Sequence, residues 1–291
     1  MTAPTAPMTV VTEPGVYDLP EELYHADPVP AGSLSSSGAR RLLPPSCPAL
    51  FRHEQQHGRP DTKAFDFGKA AHRQVLGTGS EVVVFDYPDW KTKKARDDRD
   101  VCRSEGLVPL LDHEMTVVEE MATALRAHPA AAALFGDGGQ PEQSLFWVDR
   151  PSGIWRRARL DWYPVRRGAR LIVPDYKTSV SADLDAIQRS AWSFGWAQQA
   201  AWYLDGIEAL GLAGDAKPAF LFVVQEKAAP YLVSVIELDQ VALDIGRRLN
   251  RQAINVYREC SRSGHWPAYS DDIELISLPG WVENKYSEDY R

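Results

Sequence analysis

The chain has 291 residues, 44% of them hydrophobic and 25% charged, which is ordinary globular usage and excludes disordered, collagen-like and disulfide-scaffold classes. Its 40 acidic residues outnumber 32 basic ones, for a net charge of −8, whereas proteins that grip nucleic acid through phosphates usually carry a basic surplus. No apolar run approaches the roughly 20 residues of a bilayer-spanning helix. The first twenty residues hold no Lys or Arg to head a signal peptide, and Cys47, Cys102 and Cys260 stand far apart without a CxxC pair. A folded cytoplasmic protein with no membrane partner, disulfide framework or structural zinc site is therefore expected.

Residues 1 to about 20 are rich in Thr, Pro and Ala without apolar periodicity, and 1–30 read as a loose N-terminal arm before one domain at 31–268 and a tail at 269–291. Ser33 to Ser37 with Gly38 predict a capped short helix that stops at Pro44-Pro45. Phe67 to Leu76 predicts a second helix. Asp112 can cap a third, whose apolar side includes Met115, Val118, Met121 and Leu125.

After the turn signal at 136–139 the pattern changes. Ser144 to Val148, Ile154 to Tyr163 and Arg170 to Lys177 are rich in β-branched and aromatic residues and predict an antiparallel meander. Asp183 or Ser181 caps a long helical stretch to about Leu210. Two strands follow, Ala219 to Gln225 and Tyr231 to Leu238, and then a closing helix from about Asp239 to Arg262. The expected class is α/β or α+β, a mixed central sheet with an antiparallel meander flanked by helices.

Candidate chemistry concentrates in the meander. Alternation along Leu171 to Lys177 puts Asp175 and Lys177 on one face about 6 to 7 Å apart, and the turn at 164–169 can fold Asp161 back beside them. Two carboxylates and a lysine can hold a divalent cation and address a water about to attack phosphorus. Asp-x-Lys is also a common tripeptide, for which a surface ion pair of Asp175 with Lys177 or Arg159 is the plain alternative. Gly68 and His72 fall four apart in the early helix, where a glycine admits close approach and an imidazole can complete a metal shell. Glu142 opens the preceding strand as a further acidic candidate. Gln199 and Tyr203 share a helical face with Trp196 one turn earlier, a spacing that serves either core or substrate contact.

Basic residues fall into two clusters, Lys91 to Arg103 and Arg156 to Arg170. The first reads as a solvated face, because Asp97, Asp98 and Asp100 partly cancel it. In the second, Arg157 and Arg159 share the face of Asp161 while Arg156 points away, so Arg157 or Arg159 is expected to contact a phosphate. The tail carries Trp281, Tyr286 and Tyr290 among acidic residues, which fits packing, disorder or docking on a neighbour.

Taken in order, Phe67-Gly68-x-x-x-His72, Glu142, Arg159-Leu160-Asp161-Trp162, Asp175-Tyr176-Lys177-Thr178 and Gln199-Ala200-Ala201-Trp202-Tyr203 resemble the PD-(D/E)XK nuclease superfamily. Within it the sequence looks like the RecE-type exonucleases, with Leu34-Ser35-x-Ser37, Cys47-Pro48-Ala49-x-Phe51 and Gln225-Glu226-Lys227 extending the likeness over about Ser33 to Leu238. The resemblance implies a restriction-endonuclease-like core, with His72, Asp161 and Asp175 binding Mg²⁺ or Mn²⁺. It further implies that Lys177 orients the hydrolytic water, that Glu142 assists, and that Gln199, Tyr203, Ser35 and Ser37 face substrate. Leu160 stands where the family name has Pro.

With Cys260 the sole late cysteine, no iron-sulfur cluster is expected. The implied activity is exodeoxyribonuclease action on double-stranded DNA ends, 5′ to 3′, by a homo-oligomeric ring that hands 3′ single strands to a RecT-like annealing partner. A structure-selective endonuclease on the same core, or a non-catalytic DNA-end or protein-binding scaffold, are the alternatives.

Overall fold

A computed structural model of the chain describes residues 10–58, 62–136, 138–164 and 170–286. The chain opens with β1 (Gly15–Tyr17) and α1 (Glu21–His25). Val11, Leu19, Tyr24 and Val29 close around Phe146, and β1 pairs antiparallel with β5 (Gln140–Asp149). The segment expected to be a loose arm is thus fixed to the sheet from Val11 onward. Its few large apolar side chains find their partners more than a hundred residues away, beyond the reach of local composition.

Next come β2 (Ser33–Ser35) and α2 (Ser36–Arg41), whose N-cap Ser35 accepts a hydrogen bond from the Gly38 N–H. Helix α3 (Pro48–His57) starts on a proline, which supplies no N–H where none is needed. Helix α4 (Lys63–Leu76) is capped by Thr62 and ends at Gly77, whose φ of 75° closes the last turn. Strands β3 (Val82–Phe85) and β4 (Val108–Leu111) pair in parallel around α5 (Lys93–Ser104). The first basic cluster lies mostly exposed on and before α5, although Arg103 reaches back to Asp66 at 2.5 Å. Helix α6 (Asp112–Ala127) buries Val118, Met121 and Leu125, and α7 (Pro129–Leu134) follows.

Strand β5 forms an antiparallel hairpin with β6 (Ile154–Tyr163), flanked by β1 and by β2, which joins β6 in parallel. Strand β7 (Ile172–Ser179) departs from the expected meander. It pairs in parallel with β8 (Ala219–Glu226), which pairs antiparallel with β9 (Val233–Glu237). The reason is the connection, because the helices between β7 and β8 form a crossover, and a crossover returns the chain in the same direction. That crossover is two helices rather than one, α8 (Leu184–Ser193) and α9 (Trp196–Ala209). They are divided at Gly195, whose φ of 68° leaves the right-handed helix. The closing helix α10 (Gln240–Ser263) is capped by Asp239 as expected.

Two mixed sheets flanked by helices therefore make an α/β molecule whose core is filled by Trp147, Trp202, Phe222 and Tyr176. Arg156 points away from the Asp161 face. Its guanidinium lies between the Trp147 and Trp202 rings and pairs with Asp205. Beyond α10, Ile273, Leu275 and Trp281 of the tail are exposed, the last in α11 (Gly280–Tyr286), while Tyr290 and the turn at 165–169 lie outside the described residues. Among the described residues no helix is long and apolar enough to cross a membrane.

Helices α9 and α10 approach closely at Gly246, where a Cβ would stand 2.1 Å from the Ala197 carbonyl oxygen. Gly246→Ala must push the helices apart and is expected to cost roughly 3 kcal/mol, measurable by urea denaturation.

Candidate active site

Strand β6 ends beside the middle of β7, although the two strands belong to different sheets. The Asp161 carboxylate accepts a hydrogen bond from the Tyr176 N–H at 2.7 Å, which fixes β6 against β7. On β7, Asp175 and Lys177 share a face as alternation requires, and Lys177 Nζ lies 2.5 Å from Asp175 Oδ2. This is no surface pair, since the Asp175 side chain is 2% exposed.

Helix α4 brings His72 to the same place. Its Nδ1 lies 3.6 Å from Asp161 Oδ2, and its ring meets Tyr176 edge-on with centroids 5.1 Å apart. Glu142 sits opposite Asp161 in the hairpin, between the paired Pro141–Trp162 and Gln143–Leu160. Its φ of 59° is rare for a residue with a side chain, and its carboxylate pairs with Arg159. His72, Glu142, Arg159, Asp161 and Lys177 wall an open cleft of about 520 Å³ that Ser37, Lys69 and Thr178 also line.

The electrostatics follow from crowding. Burial pushes Asp161 up to about 6, against the pull of the Lys177 ammonium and the Tyr176 N–H. Burial likewise raises Asp175 to about 6, with Lys177 opposing and Asp161 adding to the rise. Burial alone would lower Lys177, but Asp175 and Asp161 more than offset it and hold the ammonium charged. His72 is held below its ordinary range by burial and by Lys177, which favours a neutral imidazole able to donate a lone pair.

Several expected contacts take other forms. Gln199 donates to Asp175 Oδ1 at 2.7 Å, so its amide orients a carboxylate instead of meeting substrate. The Tyr203 hydroxyl donates to the Arg159 carbonyl at 2.9 Å while its ring borders the cleft. Ser35 is spent as the α2 cap.

Arg157 is not a free phosphate clamp, because its guanidinium bonds Ser33 and pairs with Asp27 at 2.8 Å. Arg159 reaches the cleft wall, yet it is engaged by Glu142, Ser144 and the Leu19 carbonyl. Sequence reading passed over Lys69, three residues before His72 on the same helix, whose side chain is 42% exposed. Its proximity in sequence to His72 was the signal available.

Asp161 and Asp175 offer hard oxygen donors and His72 an imidazole, which suits a divalent cation in kind. Asp175 Oδ2 accepts no hydrogen bond despite its burial and meets only the Lys177 charge. The expected three-ligand shell is nonetheless not closed. Among the described residues no group of three His, Cys, Asp or Glu side chains is gathered as a metal site, since Lys177 and Gln199 occupy the oxygens of Asp175.

Mixed sheets flanked by helices form the restriction-endonuclease-like core that a PDDEXK-like domain implies. Residues 35–279 match the profile of a PDDEXK-like domain family of unknown function, and the chain belongs to that family. It is similar over 92% of its length, at 12% identity and a TM-score of 0.59, to 98% of a crystallised protein from Eubacterium rectale provisionally assigned as an exonuclease. A phage-related exonuclease from Haemophilus somnus 129PT is also similar, at 12% identity and a TM-score of 0.33, over 80% of this chain and 96% of that one. No curated protein matches the chain in sequence. Nucleases with PDDEXK cores generally use divalent metals.

The raised value of Asp175 carries a stability consequence in protein freed of divalent ions. Its folded form binds the proton more tightly than the unfolded one, so its stabilising contribution is complete below the ordinary 3.8 and is lost as pH rises through about 6. Thermal melts in EDTA should show Asp175→Asn gaining on the wild type across that window and levelling above it.

Proposed function

We propose that this chain is a metal-dependent exodeoxyribonuclease that hydrolyses phosphodiester bonds of double-stranded DNA from the 5′ end. The observation carrying the proposal is Lys177, which lines the same cleft as His72 and Asp161 and lies 2.5 Å from the buried Asp175 carboxylate behind it. A structural ion pair has no need of a second raised carboxylate and an imidazole at its side, whereas phosphodiester hydrolysis uses each.

His72, Asp161 and Asp175 would hold Mg²⁺ or Mn²⁺, which supplies Lewis acidity toward a water and the phosphate oxygens. Lys177, kept charged by its two acidic neighbours, is placed to orient that water and to meet charge developing on phosphorus. Gln199 orients Asp175, whose carboxylate would help to hold the cation. The water oxygen bonds to phosphorus and gives up a proton, the ester P–O bond breaks, and the departing oxygen takes up a proton in turn.

The net charge of −8 is compatible with this reading, because an enclosed path for DNA needs positive charge only where phosphates pass. Threading through a homo-oligomeric ring and delivery of the 3′ strand to a RecT-like annealing protein complete the proposal by resemblance.

Digestion of end-labelled linear duplex tests it. Wild type should degrade DNA with Mg²⁺ or Mn²⁺ and not in EDTA, and Asp175→Ala and Lys177→Ala should each lose on the order of 10² in rate or more. Equal activity in all three proteins would remove the site, and inactivity of all three would favour a scaffold. Cutting of a duplex with blocked ends would mark an endonuclease.

The cations should divide by their surroundings. Lys69→Ala is expected to weaken duplex binding and flatten its salt dependence by about one phosphate contact. Arg157→Ala should leave the salt slope unchanged and instead cost about 2 kcal/mol of stability, read from urea unfolding, since Asp27 loses its charge partner but keeps its hydrogen bonds from Ser33.

A further inference from the structure

Helix α4 carries a glycine that its packing does not require. Gly68 lies within the helix, where glycine is less favourable than alanine because it surrenders more backbone freedom on folding. Apart from Gly280 at the first position of α11, the other helix glycines among the described residues are explained by a neighbour. A Cβ would come 3.1 Å from the Phe51 ring at Gly38, 2.9 Å from the Trp147 ring at Gly206, and 2.1 Å from the Ala197 oxygen at Gly246. At Gly68 it would meet nothing within 4 Å. That space is not open solvent in general, because Gly68 lines the catalytic cleft between Ala64 and His72. The three are four residues apart and share one face of α4. Lys69, also on the cleft wall, holds its 42% exposed side chain beside the bare stretch of helix, with its ammonium 3.6 Å from Glu21.

We propose that Gly68 is a clearance position for the DNA strand being cut. The sugar-phosphate backbone crosses α4 against the bare helix at Gly68, with a phosphate beside Lys69, and so descends to the level of His72 and Asp161. A side chain at 68 would fill the space one turn before His72 and hold the strand away from the carboxylates. The inference rests on the nuclease reading and adds where on the cleft wall the strand lies. Glycine is kept for what it leaves empty, and the helix gives up some stability for it.

Gly68→Ala and Gly68→Leu in the full chain test this. Binding of a fluorescein-labelled linear duplex is followed by anisotropy in Ca²⁺, Mn²⁺ binding by titration calorimetry, and folding by thermal melting. Gly68→Ala should melt roughly 2 °C higher than wild type. Duplex affinity should fall with side-chain size, by about threefold for Ala and at least about tenfold for Leu, while Mn²⁺ affinity stays within about twofold. Duplex affinity of Gly68→Leu within about twofold of wild type overturns the proposal. So does a loss of Mn²⁺ affinity in step with that for DNA, or a lower melting temperature for Gly68→Ala, since either would mean that Gly68 serves the fold. The nuclease reading fails separately: if wild type neither binds nor cuts the duplex both fall, whereas if wild type cuts and Gly68→Leu cuts equally well only the clearance role is lost.

Discussion

The hydrogen bond from the Tyr176 N–H to the Asp161 carboxylate is the constraint on which the site turns. It joins strands of two different sheets, so the end of β6 faces Asp175 and Lys177 on β7. Without it Asp161 would be one more polar residue near a strand end. With it, Asp161 is held where Lys177 and His72 both act on it. The same backbone group that fixes Asp161 belongs to the residue between Asp175 and Lys177, so all three positions are set by one short stretch of β7.

Helix α9 is the second fixed element. Trp202 donates from its indole to the Arg157 carbonyl, Tyr203 donates to the Arg159 carbonyl, and Gln199 donates to Asp175. One helix thereby ties down both strands that carry the carboxylates. Its close approach to α10 at Gly246 leaves it little freedom to shift. Rigid support of this kind suits a site whose chemistry depends on small errors in position.

The charge distribution explains how an acidic chain can present such a site. Most arginines of the hairpin are already paired, Arg156 with Asp205, Arg157 with Asp27 and Arg159 with Glu142. They hold the framework together, since a guanidinium fork satisfies several acceptors at once. Two lysines also line the cleft, Lys177 paired with Asp175 and Lys69 with Glu21. A lysine is a compact charge on a flexible stem, so these pairs are held less rigidly than the guanidinium forks.

Much of this was legible in the sequence because it rests on local period. Alternation alone places Asp175 and Lys177 on one face of β7, the helical period places Gly68 above His72, and Asp239 announces the start of α10. The N-terminal arm misled, because a few apolar residues in a Thr- and Pro-rich stretch give no period, and only contact with Phe146 shows that they belong to the core. The arginines misled for a related reason: face can be read from strand alternation, but Asp27 reaches Arg157 from a loop far back along the chain and Glu142 reaches Arg159 from the facing strand β5. The sequence by itself determined which side chains could do the chemistry and which of them share an element. Tertiary structure alone decided that β6 and β7 meet across two sheets and which charges are spent inside, because those contacts join residues whose separation along the chain carries no periodic signal.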